Sequence, residues 1–112
     1  MKIYHNPRCS KSRQTLAIIM EKGEEVEIVE YLNNPLNKIE LKEVLNKLGT
    51  KPEQIIRKGE SIYKENYKGK SYTDEEWIKI MASNPILIER PIVVKGNKAV
   101  MGRPPEKVMD LF

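Results

Sequence analysis

Cys9 is the single cysteine of this 112-residue chain, and it lies between a candidate strand and a candidate helix. A thiol in the first turn of a helix meets backbone N–H groups without partners and the positive end of the helix dipole, and both favour the thiolate. The neighbouring cations Arg8, Lys11 and Arg13 act in the same direction. Because the thiolate is the nucleophilic form of cysteine, the position predicts a reactive Cys9 rather than a buried structural one.

Three polar residues near Cys9 are candidates to assist it. Ser12 takes the last place of a Cys-x-x-Ser arrangement, where a dithiol oxidoreductase has a second cysteine, so an external thiol must resolve any oxidised product on Cys9. We expect Ser12 either to hydrogen-bond the thiolate or to cap the helix. His5 is either an orienting partner of the thiol or a hydrogen-bonded residue at a strand end. Asn6 and Pro7 are expected to shape the turn.

Arginine is used sparingly, since only five of the 20 basic residues are arginine. Arg90 and Arg103 each precede a proline at opposite ends of a candidate hairpin, which brings both to one edge of the sheet. A guanidinium binds an oxyanion through two parallel hydrogen bonds. We therefore predict an anion site at Arg90 and Arg103, with Arg57 as a third candidate. The alternatives are salt bridges with Glu89 or Glu106, or simple solvation.

The elements that position these residues begin with a β–α–β unit. Residues 2–5 read as a strand, apolar residues at helical spacing follow from Ser10 to Gly23, and alternation through Glu30 predicts a second strand. The helix between them is long enough for the two strands to be parallel. The apolar spacing in the helix and the alternation in the second strand each predict one buried face, carried by Leu16, Ala17, Ile19 and Met20 and by Val26 and Ile28.

The middle of the chain changes to helical patterns. Asn37 with Glu40 and Thr73 with Glu76 each form a capping-box signature, which predicts helices within an insertion at about residues 36–84. The end returns to strands at 92–94 and 99–101 with a closing helix over 106–112. The chain therefore reads as one domain whose residues 1–31 form a βαβ half and residues 85–112 a ββα half.

Composition excludes several classes of protein. The chain is 39% hydrophobic and 32% charged with a net charge of +4, which is typical of a folded protein that suits a small anionic ligand, and we expect no nucleic acid. One cysteine excludes an internal disulfide framework. We find no metal, nucleotide or flavin motif, no apolar run of about 20 residues and no signal peptide, so we expect no bound cofactor, no membrane association and a cytoplasmic location.

Four segments together resemble the glutaredoxin-linked arsenate reductases of the ArsC family, within a wider group that includes the Spx-like proteins. They are Tyr4–Arg13, Ile56–Lys58, Pro85–Val94 and Gly102–Pro104. The resemblance implies an α/β fold of the thioredoxin-like, or glutaredoxin-like, type: a sandwich in which helices flank a mixed sheet, with a helical insertion. It also implies that Pro91 is a cis-proline facing the active cysteine.

The resemblance further implies a reaction and its partners. Cys9 would attack arsenate to form a thiol–arsenate adduct, with His5 assisting the ionisation and Ser12 beside the thiolate. Glutathione, as co-substrate, would attack the adduct to release arsenite, and glutaredoxin would regenerate the thiol. Three arginines would hold the oxyanion: Arg57, Arg90 and Arg103. Apart from the resemblance, we expect the chain to be a monomer.

Three other readings stay open. The first is an Spx-like regulator that binds RNA polymerase, although redox-sensing members carry a second cysteine at the place of Ser12 and lack a corner like Arg103-Pro104. The second is a thiol oxidoreductase that acts on another substrate through Cys9. The third is a binding module whose basic surface meets acidic partners.

Overall fold

The computed structural model describes residues 1–112, which form two compact units. The sheet unit consists of Met1–Asn34 and Arg90–Phe112, and the helical unit consists of Pro35–Glu89. The predicted arrangement of a single domain, with a βαβ half at 1–31, a helical insertion at about 36–84 and a ββα half at 85–112, stays a prediction. None of the helices has the length and apolar character that a bilayer-spanning segment requires.

The sheet unit contains four strands: β1 (Lys2–His5), β2 (Glu27–Glu30), β3 (Ile92–Lys95) and β4 (Lys98–Met101). Their order in the sheet is β2-β1-β3-β4, with β1 parallel to β2 and the other two pairings antiparallel. The predicted parallel β–α–β start and the antiparallel hairpin at the end are therefore confirmed. A mixed sheet of this kind confirms the predicted α/β class.

Two helices supply the core of the sheet unit. Helix α1 (Ser10–Glu21) connects β1 to β2, and a 3₁₀ helix (Pro105–Leu111) takes the place of the predicted closing helix. Both contact each other and the sheet. Their apolar residues form one buried cluster with those of the strands: Ile3, Ile19, Val93, Val108 and Leu111.

Two core predictions in the sheet unit are wrong. Met20 is 63% exposed and Ile28 is 48% exposed. Ile28 pairs with the buried Ile3, but β2 is an edge strand and has a neighbour on one side only, so its side chains are covered from that side alone. Ile19 of α1 is buried as its spacing predicts, and the other two buried positions of α1 are the polar Ser12 and Thr15.

The helical unit contains α2 (Lys38–Leu48), α3 (Ser61–Asn66) and α4 (Asp74–Ser83), with 3₁₀ helices at Pro52–Ile55 and Pro85–Leu87. Both capping boxes are present, as the spacing predicts. The Asn37 side chain accepts a hydrogen bond from the Glu40 N–H at 2.8 Å, and the Thr73 hydroxyl accepts one from the Glu76 N–H at 3.2 Å. These bonds satisfy N–H groups that a helix start leaves without partners.

An aromatic cluster, formed by Tyr63, Tyr67, Tyr72 and Trp77, lies in the helical unit. Trp77 is 2% exposed, and its ring centre is 4.8 Å from that of Tyr72 in an edge-on arrangement. Such geometry is favoured because the positive ring edge meets the negative ring face. The cluster explains the ordering of α3, a helix that no motif in the sequence predicts.

Candidate active site

Cys9 is delivered by a tight turn between β1 and α1. The carbonyl oxygen of Asn6 accepts a hydrogen bond from the Cys9 N–H at 3.0 Å, closing a four-residue turn with Pro7 at its second position. The side-chain oxygen of Asn6 accepts a second bond from the Arg8 N–H at 3.0 Å. Asn6 thus shapes the turn, and Pro7 fixes its first central φ angle.

The thiol of Cys9 occupies the N-cap position of α1. The residue has an extended backbone, and its carbonyl accepts the first helical bond from the Arg13 N–H at 3.0 Å. Its side chain makes no capping hydrogen bond and the residue is 9% exposed. Cys9 therefore lies at the end of α1 where backbone N–H groups lack helical partners and the helix dipole is positive, and no side-chain hydrogen bond engages its thiol.

Arg13 and Arg8 add positive charge to this turn in different ways. The Arg13 guanidinium donates a hydrogen bond to the Pro7 carbonyl at 3.0 Å and so braces the turn from α1. Arg8 is exposed and directly precedes Cys9. Both cations favour an anion at the start of the helix.

Ser12 and His5 form a buried pair. Nδ1 of His5 lies 2.6 Å from Oγ of Ser12, and the same oxygen accepts a bond from the Asn6 N–H at 3.0 Å. The predicted alternatives for Ser12 were a bond to the thiolate or a helix cap, whereas this hydroxyl bonds to the strand and the turn. The hydrogen-bond partner of His5 is likewise Ser12 and not Cys9.

Burial lowers the pKa of His5 below its ordinary value; the nearby Glu30 carboxylate opposes the shift and Arg13 reinforces it. The ring is therefore neutral near pH 7. A neutral, hydrogen-bonded ring is suited to holding the turn in place. Glu30, at the end of β2, was not singled out from the sequence, because only the parallel pairing of β1 and β2 sets it opposite His5.

Arg103 contacts the backbone of Arg90 at the base of the β3–β4 hairpin, and a shared anion site for the two side chains stays a prediction. Nη1 of Arg103 donates to the backbone oxygen of Arg90 at 3.2 Å, and the N–H of Gly102 donates to the oxygen of Pro91 at 2.9 Å. The peptide bonds that follow both arginines, to Pro91 and to Pro104, are cis. The cis geometry implied for Pro91 is thus present.

Gly102 and Thr15 are site-supporting residues that the sequence reasoning missed. A Cβ on Gly102 would lie 2.5 Å from Thr15 Oγ1 and 2.8 Å from Pro91 Cγ, so only glycine allows this approach. Thr15 satisfies its hydroxyl by donating to the Lys11 carbonyl at 2.8 Å. The signal available was Thr15 three residues after Ser12, on the same face of a helix.

Arg57 belongs to the helical unit, where its backbone is held in a short antiparallel bridge. Its N–H donates to the Leu87 oxygen at 2.8 Å. Its guanidinium forms ion pairs with Glu60 at 2.9 Å and with Glu89 at 3.6 Å. Two carboxylates therefore engage the Arg57 guanidinium, which the sequence did not predict.

Comparison with known proteins decides the family. A profile of the ArsC family matches residues 4–111. The chain belongs to the ArsC family. Among curated ArsC relatives, the arsenate reductase of Haemophilus influenzae is 41% identical over 112 residues, covering 98% of this chain and 97% of the relative. The uncharacterized protein YfgD of Escherichia coli (strain K12) is 47% identical and covers 99% and 95%.

The fold of this chain also matches that of a solved ArsC structure. The arsenate reductase from Vibrio cholerae is 41% identical and superposes with a TM-score of 0.94, covering 100% of this chain and 98% of that one. The thioredoxin-like fold implied by the sequence is therefore confirmed. The motif segments that carried the resemblance lie within the matched range of the ArsC profile, 4–111.

Proposed function

We propose that this chain is an arsenate reductase in which Cys9 is the nucleophile and external thiols are the reductant. Relatives named arsenate reductase match almost the whole chain at about 40% identity, such as that of Neisseria meningitidis at 40% over 110 residues. One observation of the site carries the proposal. The only thiol of the chain lies at the N-cap of α1 and makes no capping bond there.

The first step forms a sulfur–arsenic bond. The Cys9 thiolate attacks the arsenic of protonated arsenate, and one arsenate oxygen leaves as water after taking up protons from solvent. Arsenic stays pentavalent in the resulting thiol–arsenate adduct. The start of α1 favours both the attacking thiolate and the anionic adduct, because unpaired N–H groups and the helix dipole stabilise negative charge there.

The second step is the reduction. A glutathione thiolate attacks the Cys9 sulfur and forms a mixed disulfide, while the electrons of the broken sulfur–arsenic bond stay on arsenic, which leaves as arsenite. Two thiol sulfurs are oxidised and arsenic is reduced by two electrons. Because the chain has no second cysteine, another thiol must then break the mixed disulfide, and glutaredoxin is the expected donor.

Arginines are proposed to hold the oxyanion during both steps. Arg90 and Arg103 share the hairpin base, and fixed guanidinium donors aimed at an oxyanion lower a barrier without reorganising. Arg57 is proposed as a third donor. For Arg57 this role requires arsenate to compete with the carboxylates of Glu60 and Glu89.

His5 and Ser12 are proposed to hold the turn that carries Cys9 in place, without taking part in the chemical steps. Their bond joins the end of β1 to the first turn of α1, and Ser12 also receives the Asn6 N–H. The turn that presents Cys9 is thereby fixed from both sides. With the ring neutral near pH 7, His5 stabilises the geometry of the thiolate site rather than adding a charge to it.

A coupled assay tests the proposal. Arsenate-dependent NADPH oxidation is followed with glutathione, glutaredoxin and glutathione reductase, and each component is omitted in turn. We expect turnover with the complete mixture, none with Cys9→Ser, and none without glutathione. The exposed Ser10→Ala variant serves as the matched control in the same helical turn.

Either alternative outcome has a clear meaning. Turnover that survives Cys9→Ser would overturn Cys9 as the nucleophile. Absence of turnover, with Cys9 alkylated rapidly by iodoacetamide at pH 7, would overturn arsenate as the substrate and favour a thiol oxidoreductase with another oxidant.

A further inference from the structure

A recess lies next to the Cys9 turn, at the carboxyl ends of the parallel strands β1 and β2. This strand-end pocket is formed by residues 5–8, Glu30, Leu32 and Asn33, all in the sheet unit, and has a volume of about 390 Å³. Ligands of open α/β sheets commonly bind outside the carboxyl ends of parallel strands, where the loops diverge. The volume falls within the range of small-molecule sites, about 300–1,000 Å³.

Both walls of the strand-end pocket are held by hydrogen bonds. On the β1 side, Asn6 Oδ1 fixes the Arg8 N–H at 3.0 Å. On the β2 side, the backbone carbonyl oxygen of Glu30 accepts hydrogen bonds from the N–H groups of Asn33 and Asn34 at 3.0 and 2.9 Å. The pocket is therefore largely pre-formed, which lowers the ordering cost of binding.

The walls carry one charge of each sign. Arg8 contributes a guanidinium from one side and Glu30 a carboxylate from the other, and neither takes part in an ion pair with another side chain. His5 also lines the pocket, but burial lowers its pKa, so its ring adds no charge near pH 7. A purely anionic ligand meets Glu30 unfavourably and a purely cationic one meets Arg8 unfavourably, so the pocket suits a zwitterion.

We propose that the strand-end pocket binds the α-amino-acid end of the small thiol that resolves Cys9, with Arg8 on its carboxylate and Glu30 on its ammonium group. The inference rests on the proposed function, which requires an external thiol because the chain has one cysteine. Arg8 directly precedes Cys9 in the chain, and the lining residues 5–8 belong to the strand end and turn that lead to Cys9. The amides of Asn6 and Asn33 supply further hydrogen-bonding groups, and Leu32 supplies an apolar contact.

Binding is tested without turnover. The ¹⁵N-labelled chain is titrated with S-methylglutathione, which has the amino-acid end but no free thiol, and amide shifts are followed by NMR. We expect the largest shifts at residues 5, 6, 8 and 30–33. Arg8→Gln and Glu30→Gln should each weaken binding about tenfold, the loss of one charge-assisted contact.

Matched controls come from the same elements. Glu27→Gln lies on β2, and Lys22→Gln lies at the end of α1; both residues are exposed and outside the pocket, so neither should change the affinity. N-acetylated S-methylglutathione, which lacks the ammonium group, should bind more weakly to the wild-type chain. Glu30→Gln should then cause no further loss.

The outcomes separate this inference from the proposed function. Shifts centred elsewhere, or equal affinity of Arg8→Gln and Glu30→Gln to wild type, would overturn the strand-end pocket as the thiol site, even if arsenate turnover is observed. Charge-dependent binding at the pocket in a chain that fails to reduce arsenate would support the pocket and count against arsenate alone.

Discussion

Nδ1 of His5 lies 2.6 Å from Oγ of Ser12, and both side chains are buried on either side of the Cys9 turn. The Asn6 N–H donates to the same oxygen at 3.0 Å, so the Ser12 hydroxyl has one partner in the turn and one at the end of β1. One hydroxyl thus ties β1, the turn and α1 together.

Removing this hydroxyl should destabilise the fold. Ser12→Ala leaves the Asn6 N–H and the His5 Nδ1 without their partner in a buried region, at a cost of about 1–3 kcal/mol in the free energy of unfolding. Urea denaturation followed by circular dichroism measures the change. Ser10→Ala, two residues earlier and exposed, should change stability little. Equal stability of Ser12→Ala and Ser10→Ala would contradict the assigned network.

The lowered pKa of His5, the only histidine of the chain, predicts how stability depends on pH. Because burial lowers the pKa of His5 in the folded chain, the unfolded chain takes up a proton over a pH range in which the folded chain does not. The free energy of unfolding should therefore decrease as pH falls below about 6.5 and level off below the lowered folded-state pKa. Carboxylates also make the free energy of unfolding depend on pH. The contribution of His5 is therefore obtained by subtracting the profile of His5→Gln from that of the wild-type chain.

The pKa of His5 can also be measured directly by NMR. The chain has one histidine, so one imidazole C2 proton signal titrates, and its midpoint should lie below 6.5. Glu30→Gln removes the carboxylate that raises the pKa, so the midpoint should move further down. A midpoint above 6.5 in the wild-type chain would show that His5 is charged near neutrality and refute the positioning role.

Gly102 should be intolerant of a side chain. In Gly102→Ala the new methyl group would lie 2.5 Å from Thr15 Oγ1 and 2.8 Å from Pro91 Cγ, so α1 or the hairpin base must shift. Overpacking of this kind costs about 1–3 kcal/mol. Gly59→Ala is the matched control, because a Cβ there has no atom within 4 Å. The midpoints of thermal unfolding of the two variants are compared. Similar midpoints would contradict the close approach of Gly102 to Thr15 and Pro91.

Local signals predicted much of this fold because they act within a few residues. The capping boxes at Asn37 and Thr73 both form, since a side chain and a backbone N–H three residues away are enough to specify them. The hairpin of β3 and β4 forms around a two-residue turn at Gly96 and Asn97. Parallel pairing of β1 and β2 follows from the length of the connection between them.

What the sequence did not disclose depends on distant neighbours. Met20 and Ile28 look like core residues from periodicity alone, yet both are exposed because burial depends on which element covers each position. The polar Ser12 and Thr15 occupy buried positions of α1 since hydrogen bonds satisfy them, which hydrophobic spacing does not register. Helix α3 is ordered because its own Tyr63, and Tyr67 directly after it, pack on Trp77 of α4.

The candidate site divides in the same way. The placement of Cys9 at a helix start was predictable, because a strand, a turn with proline and a helical pattern follow in direct succession. The partner of His5 was not, since a serine seven residues away becomes its neighbour only through the turn. The ion pairs of Arg57 with Glu60 and Glu89 needed the bridge that brings two segments together.

The start of α4 offers a pH-dependent test in the helical unit. Hydrogen bonds from the Thr73 backbone and side chain lower the pKa of Glu76, so its contribution to stability is present above the ordinary carboxylate value and is lost as pH falls through the lowered one. Glu76→Gln, which removes the titrating carboxylate, should therefore lower the free energy of unfolding at pH 7. The loss should be smaller at pH 3, measured by urea unfolding. The exposed Ser71→Ala is the control, and a pH-independent loss would contradict the charge-dependent part.

The proposed oxyanion role of the hairpin base makes the last prediction. Lysine keeps the charge of arginine but not its planar pair of donors, so Arg90→Lys and Arg103→Lys should each lower kcat/KM for arsenate by about a hundredfold. Neither substitution removes the helix start that favours the thiolate, so the rate of Cys9 alkylation by iodoacetamide should stay near wild type. Lys107→Gln, exposed on the 3₁₀ helix that follows Arg103, controls for a general loss of positive charge. Wild-type kcat/KM in both arginine variants would remove the hairpin base from the anion site, whereas a parallel loss of alkylation would place its effect on the thiol rather than on arsenate.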